Sequence, residues 1–530
     1  MGPSERRARS RPIDAPRPVR HSRARRTTGL GKVVLGTVVV LVSGTLGGGA
    51  YVYQHLNGNI ASSALFSGTT GSAGVRKADE QGRFPINVLV IGTDSRSSEE
   101  NCKLGGACDN AVGNADVQLL VHVSADRSNI TAMSIPRDTM TDMPGCKDAT
   151  TGATSEAHYG QINSSLSYGP GCSVAAVHQL TGVTIDHFVM VDFAGVIAMS
   201  DATGGVQVCV SADIYDTYSH LKLSEGKHTL KGEGALQFVR TRHGFGDGSD
   251  LGRTYGQHAF LSAAIQSLKD KGTLLNPTKL YGVADAATKA LTVDEGLNSI
   301  PKLVDLATEF NKVDTDRITF TTMQTAADPN NSNRVVPAEA AQKLFSTIAA
   351  DESLSKDPAT ATATPSAAAT TASAGVATDF TVKVQNHGGV DGRAGSITQV
   401  LTEAGYDRAV TDASAGDLET RTAVLYAQGQ VDQARQLAAD LKIPSSLLRQ
   451  STDVDDVTLA IGKDWSEGDT YPRTTAKTRK EALADSHAST AKNSGCVPVS
   501  TYRTVKYNGV PMTPSQAYAA ATTKKDSDSD

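Results

Sequence analysis

The chain has 530 residues, 39% of them hydrophobic and 20% charged, with a formal net charge of −5. That length exceeds one ordinary domain and that composition excludes a wholly disordered chain, so two folded units with non-globular joints are expected. Ten of the 51 Lys and Arg, but only two of the 56 Asp and Glu, lie in residues 1–32, so the body is acidic and nucleic acid is excluded as its general partner.

The basic head runs into an apolar stretch, Val33 to Val52, broken only by Gly, Ser and Thr. Twenty residues at about 1.5 Å each span roughly 30 Å, one hydrocarbon core. Arginines on the N-terminal side predict a single-pass anchor with the head cytoplasmic and everything after Tyr53 exported. A cleaved signal peptide is the competing reading, against which stand the length of the run and the weak cleavage site at Gly47-Gly48-Gly49-Ala50. All six cysteines follow the anchor. An even number in an exported chain points to disulfides, with Cys102 and Cys108 the readiest pair. Cys-x-x-Cys spacing and clustered histidines, which a metal site would show, are lacking.

After a polar spacer the pattern becomes α/β. Asn87 to Ile91 is a short apolar run ending at Gly92, a buried strand opening into a loop. Asp116 to Val123 and Asn129 to Ile135 predict a hairpin that stops at Pro136. His187 to Phe193 and Gly205 to Val210 add strands. Phe238 to Arg242 reads as a strand whose period-two alternation sets Arg240 and Arg242 side by side. Beyond Ser249 and Asp250, either of which could cap it, comes a helix with Phe260, Leu261, Ala264, Ile265 and Leu268 on one face and Gly272 as its stop. An Ala/Thr/Ser stretch then breaks the chain. A second unit follows with strands at 380–384 and 422–427, helices at 397–404 and 431–441, and a closing strand at 457–461. The division is a basic segment (1–32), a transmembrane helix (33–53), an extracellular spacer (54–82), a main α/β domain (83–351), a linker (352–378), a small α/β domain (379–465) and a loop-rich tail (466–530).

Several residues suit phosphoryl chemistry. Gly92-Thr93-Asp94-Ser95-Arg96 sits at a strand's carboxyl end, where crevices form, and pairs a carboxylate with a guanidinium. Asp116 opens an otherwise apolar strand and with Asp94 could hold Mg²⁺. Ser134-Ile135-Pro136-Arg137-Asp138 aims Arg137 into a loop, with a surface turn as the bland alternative. Arg240 and Arg242 together imply an anionic partner, either a phosphate or the nearby Asp247 and Asp250, and Arg253 and Gln257 share a helical face. Walker, Gly-x-Ser-x-Gly and His-Glu-x-x-His motifs are absent from the sequence.

These segments, with Ile162-Asn163, Asp186 to Phe193, Gly204 to Val208 and Gly232 to Arg242 in the same order, resemble the LytR-CpsA-Psr family of envelope phosphotransferases from Asn87 to Ser267. Residues 379–463 are similar to the small domain often appended to such proteins. The resemblance implies a three-layer α/β/α core around a mixed sheet, with an apolar crevice for a polyprenyl tail. It also implies transfer of a glycopolymer from a polyprenyl-pyrophosphate carrier to peptidoglycan at the membrane's outer face. Asp94 and Asp116 would serve Mg²⁺, while Arg96, Arg137, Arg240, Arg242, Arg253 and Gln257 would grip the pyrophosphate. Two positions depart from the family's pattern: Asn114 and Gly256 stand where Arg is usual. Lost cations there favour the alternative of a non-catalytic, membrane-anchored binder of wall polymers, unless Lys103 in the cysteine loop substitutes for one.

Overall fold

The computed structural model describes residues 49–528 apart from 80–81, 97, 105–107, 109–112, 149–150, 249, 270–275, 356–377, 413–421, 444–446, 472–475 and 493–494. The expected membrane span at 33–53 falls largely outside these residues, as do Ser249 and Gly272. Among the described residues no helix is long and apolar enough to cross a membrane. The strands are β1 (Ala61–Ser63), β2 (Ile86–Thr93), β3 (Ala115–Val123), β4 (Ile130–Ile135), β5 (His187–Val191), β6 (Leu291–Asp294), β7 (Ile318–Thr322), β8 (Val382–Asn386), β9 (Ala409–Asp412), β10 (Ala423–Tyr426), β11 (Leu448–Gln450), β12 (Val457–Ile461) and β13 (Ser489–Thr490). The helices used below are α1 (Pro170–Thr181), α2 (Phe193–Ala202), α3 (Gly232–Arg240), α4 (Asp250–Lys269), α5 (Ile300–Asn311), α6 (Glu339–Ala349), α7 (Arg393–Glu403) and α8 (Val431–Asp440).

The main sheet runs β1-β6-β5-β2-β3-β4-β7-β13. It is mixed: β2/β3 and β3/β4 are antiparallel, whereas β5/β2 and β4/β7 are parallel. Alternation along the central strands feeds two cores. Leu89, Ile91, Leu120, Met133 and Ile135 pack with Val174 and Val177 of α1 and Leu344 and Ile348 of α6. Val88, Leu119, Val121, Ile130 and Phe320 face the other way, with Leu261 and Ile265 of α4 and Leu306 and Phe310 of α5. Both faces of the sheet are therefore covered, which is why these strands read as continuous apolar runs rather than as alternating ones. This is the expected α/β/α sandwich.

Four expectations change. The 54–82 stretch contributes edge strand β1, and Leu65, Phe66 and Ala73 pack against the first core. Strand β5 ends at Val191 because Asp192 caps α2, its carboxylate accepting the Gly195 N–H at 2.8 Å. Residues 206–210 pair with 226–230 in a separate antiparallel hairpin. Residues 238–240 close α3, and the chain turns extended only at Thr241, so Arg240 and Arg242 are not neighbours on a strand.

The second unit is a five-stranded sheet, β9-β8-β12-β10-β11, carrying α7 and α8. Strand β12, last of the five in sequence, lies in the middle with all five residues buried. Its core closes on Trp465, whose carbonyl accepts the Arg393 Nε–H at 2.9 Å.

The tail then returns to the main domain. Gln324 donates to the Ala482 and Ala484 carbonyls, β13 joins β7, and a disulfide links Cys209 to Cys496. Cys102–Cys108 and Cys146–Cys172 are the other two bridges. Val497 and Val499 enter the core under α3, the Ser500 N–H donates to the Gly244 carbonyl, and Lys222 meets Asp526 at 2.8 Å.

Candidate active site

The site grows from the end of β2. A β-bulge between Gly92 and Thr93 turns the chain out of the sheet. Gly92 is required there, since a Cβ would lie 2.9 Å from that of Val117. Beyond the bulge, Asp94 Oδ1 accepts the Asn114 N–H at 2.8 Å, fastening this turn to the start of β3. Gly113 permits the contact with a φ of +80° and no side chain to strike the Ser95 backbone. Position 114 thus works through its backbone, and its side chain is exposed.

Asp116, second residue of β3, is the hub. Its Oδ1 is bound by Arg137 Nη1, its Oδ2 lies 3.8 Å from Arg253 Nη1, and its carbonyl accepts from Arg253 Nη2 at 2.7 Å. Arg137 also stands 3.7 Å from Asp138, which takes further donors from Gln161 and Arg334. The loop after Pro136 is thereby an ion network and not a free surface turn. Arg137 joins the site through Asp116 and is not part of the cavity wall.

Arg96 and Arg240 meet over one ring. Their guanidinium carbons lie 5.1 and 4.6 Å from the centroid of Phe193, at the start of α2. Arg96 is steadied by the Asn101 carbonyl at 3.0 Å. Asn101, buried, donates to Asp192 at 2.7 Å and accepts from the Ala194 N–H at 2.9 Å, which ties the Cys102–Cys108 loop to the same helix end. Burial holds Arg240 below the usual guanidinium range; the charge of Arg96 and then Arg242 pushes the same way, and Asp116 and Asp94 oppose. Such a group is stabilised when an anion joins it.

Arg240, Arg242, Arg253, Gln257 and Asp116 open onto a single cavity of about 380 Å³. Gln257 is oriented by the Val239 carbonyl at 3.2 Å. The rest of its lining is largely apolar and includes Val90, Leu119, Val191, Leu236, Phe260 and Leu261. An apolar trough running into a cluster of guanidiniums matches an amphiphile with a long hydrocarbon chain and a di-anionic head. Asp94 and Arg96 are not among its lining residues, and act on the site through the charges they set against Arg240. The Asp94–Asn114 hydrogen bond brings Asp94 beside the start of β3, two residues before Asp116, the carboxylate with which it is expected to serve Mg²⁺. No cluster of three or more His, Cys, Asp or Glu suited to a metal occurs among the described residues.

Two further expectations are settled by packing. A Cβ on Gly256 would stand 3.0 Å from the ring of Phe245. A side chain at position 256 would therefore start out towards Phe245, in the core beneath α3. Lys103 pairs with Glu99 at 2.9 Å and is 68% exposed, so it does not substitute for a lost cation. Sequence reasoning passed over Phe193, Asp216, Tyr218 and His243, all of which line the cavity. His243 directly follows Arg242 and could have been found from that adjacency. The others carried no signal of their own.

Fold and crevice together define an α/β sandwich protein whose cavity combines apolar side chains with arginines. The LytR_cpsA_psr family pattern matches residues 52–350, and the chain belongs to that family. Residues 379–465 match a second pattern, described as LytR cell envelope-related transcriptional attenuator. The chain is 28% identical over 468 residues to the cell wall biosynthesis protein LcpA of Corynebacterium glutamicum, covering 82% of each. It is 28% identical over 298 residues to the polyisoprenyl-teichoic acid–peptidoglycan teichoic acid transferase TagT of Bacillus subtilis, covering 54% of this chain and 84% of that one. Among solved structures it resembles the LytR-Csp2A-Psr enzyme from Actinomyces oris at 22% identity, with a TM-score of 0.42 over 55% of this chain and 96% of that one. The homologues support a transferase acting in the cell wall.

Proposed function

We propose that this chain is a phosphotransferase that moves an anionic glycopolymer from a polyprenyl-pyrophosphate carrier to peptidoglycan. It would be anchored by residues 33–53, with its folded domains outside the cell. The observation that carries this reading is the single cavity in which an apolar trough meets Arg240, Arg242 and Arg253 beside Asp116. The trough takes the first isoprene units of the carrier, and the guanidiniums take the pyrophosphate. Asp94 and Asp116 would hold Mg²⁺, which supplies charge neutralisation at the phosphates. Arg137 and Arg253 fix the Asp116 carboxylate, and Phe193 spaces the Arg96 and Arg240 cations. The leaving group is a polyprenyl phosphate, a good enough leaving group that no covalent enzyme intermediate is required.

The test is transfer from a polyprenyl-pyrophosphoryl saccharide to a soluble peptidoglycan fragment by residues 54–530, with and without Mg²⁺. Transfer that needs Mg²⁺ and falls at least about 100-fold in Arg242→Ala supports the reading. Lipid binding without transfer would instead support a wall-polymer binder.

A further inference from the structure

Transfer to a hydroxyl requires that its proton be taken, and the arginines cannot do so because they stay protonated. The carboxylates nearest the arginines are already engaged: Asp116 by Arg137 and Arg253, Asp94 by the Asn114 amide, and Asp192 by Asn101 and the α2 cap. Among the described residues one imidazole lines the cavity, that of His243, a side chain able to take up and release a proton. Resting on the transferase reading above, we propose that His243 is the general base for the incoming hydroxyl, and that Asp216 is its positioning residue.

The geometry is that of an imidazole backed by a buried carboxylate. Asp216 is fully buried, and its carboxylate accepts the Tyr218 N–H at 3.0 Å and the His243 N–H at 3.2 Å. The His243 Nδ1 atom is itself buried, has no hydrogen-bond partner, and faces Asp216 Oδ1 at 3.9 Å. The side chain is nonetheless about a third exposed (32%), so its open part lies away from the buried Nδ1. The Tyr218 ring, with its centroid 4.1 Å away, holds the imidazole plane. The loop is pinned from behind, since Thr504 Oγ1 donates to the His243 carbonyl at 2.5 Å. The charged and titratable groups sharing the cavity with the ring are Asp216, Tyr218, Arg242, Arg240, Arg253, Asp116 and, farther along, Asp192. A buried carboxylate held by two amides stabilises the imidazolium that forms.

The step balances without a further reactant. As the acceptor oxygen forms its bond to the sugar-bearing phosphorus, its proton passes to His243 Nε2. The bond from that phosphorus to the bridging oxygen breaks, and the polyprenyl phosphate leaves with the electron pair. The imidazolium returns its proton to the leaving phosphate or to water.

The experiment compares wild type, His243→Gln and Asp216→Asn across pH 5 to 9, using a short-chain polyprenyl-pyrophosphoryl N-acetylhexosamine as donor. Acceptors are a peptidoglycan fragment and trifluoroethanol, whose acidic hydroxyl needs less help. His243→Gln is expected to lower kcat about 100-fold with the glycan, to lose the acid-side limb of the profile, and to lose less than tenfold with trifluoroethanol. Donor binding should be unchanged, and Asp216→Asn should shift the limb to lower pH. Equal losses with both acceptors, or an unchanged profile, would overturn the inference while leaving the transferase reading intact. A wild type that transfers to neither acceptor overturns both.

Discussion

His258 offers a prediction that can be worked through. It follows Gln257 on α4, is 5% exposed, stacks on Phe320 at 5.3 Å, and shares a 2.8 Å hydrogen bond between its Nε2 and Ser134 Oγ. Burial pushes its pKa from 6.5 down to about 4. In the unfolded chain the ring takes up a proton below about pH 6.5, whereas the folded chain refuses it until about pH 4. Over that window the unfolded state binds more protons, so stability falls as pH falls, by about 1.4 kcal/mol per pH unit at the steepest. Between pH 7 and 5 this single group removes about 2 kcal/mol, and the loss is complete only below pH 4. His258→Gln keeps a partner for Ser134 and cannot titrate. Urea denaturation of both proteins at pH 7 and pH 5 yields the double difference, in which all other ionising groups cancel. The variant should start less stable but lose about 2 kcal/mol less on acidification. Equal losses in the two proteins would refute the argument that burial keeps this ring neutral.

Three more expectations follow from contacts already described. Asp116→Asn removes the carboxylate between Arg137 and Arg253; transfer should drop by 100-fold or more, and melting should reveal a stability loss of about 2 kcal/mol, below the full cost of a buried unpaired charge because the site is partly open. Gly256→Arg brings in the residue usual in the family yet drives a Cβ against Phe245; thermal unfolding should register about 1–3 kcal/mol of destabilisation with no gain in transfer, and a more active variant would show that the position faces the pyrophosphate after all. Cys496→Ser opens the bridge to Cys209 across 287 residues; the melting transition should drop by the equivalent of about 2–4 kcal/mol, and a reductant should then produce a smaller further drop than in wild type.

What could be read in the sequence followed from local rules. The hairpin of β3 and β4, helix α4, and β8, β10, β12, α7 and α8 of the small unit announce themselves because apolar spacing, Pro136 and the Ala/Thr/Ser linker act over a few residues, whereas β9 and β11 do not. The arginine pair was harder. Phe238 to Arg242 alternates as a strand would, but Ala235 and Phe238 are needed in the core beneath α3, and that burial decides for a helix that uncoils at Thr241. Both arginines still line the cavity because the chain changes conformation between them, so a pair expected on one strand is presented instead by a helix end and the extended residues after it. The remaining parts depend on distant partners. Nothing near Gly256 announces that Phe245 fills its place, nothing near Asp216 announces His243, and a tail that reads as loops is recruited by Cys209, β7 and Lys222. Each of these contacts spans between 11 and about 300 residues, beyond the reach of any spacing rule. The tail also reaches the site: Val499, Ser500 and Thr504 brace the loop that presents Arg242 and His243. The chain's last segment thereby helps to set the geometry of a cavity whose first wall is laid down at Gly92.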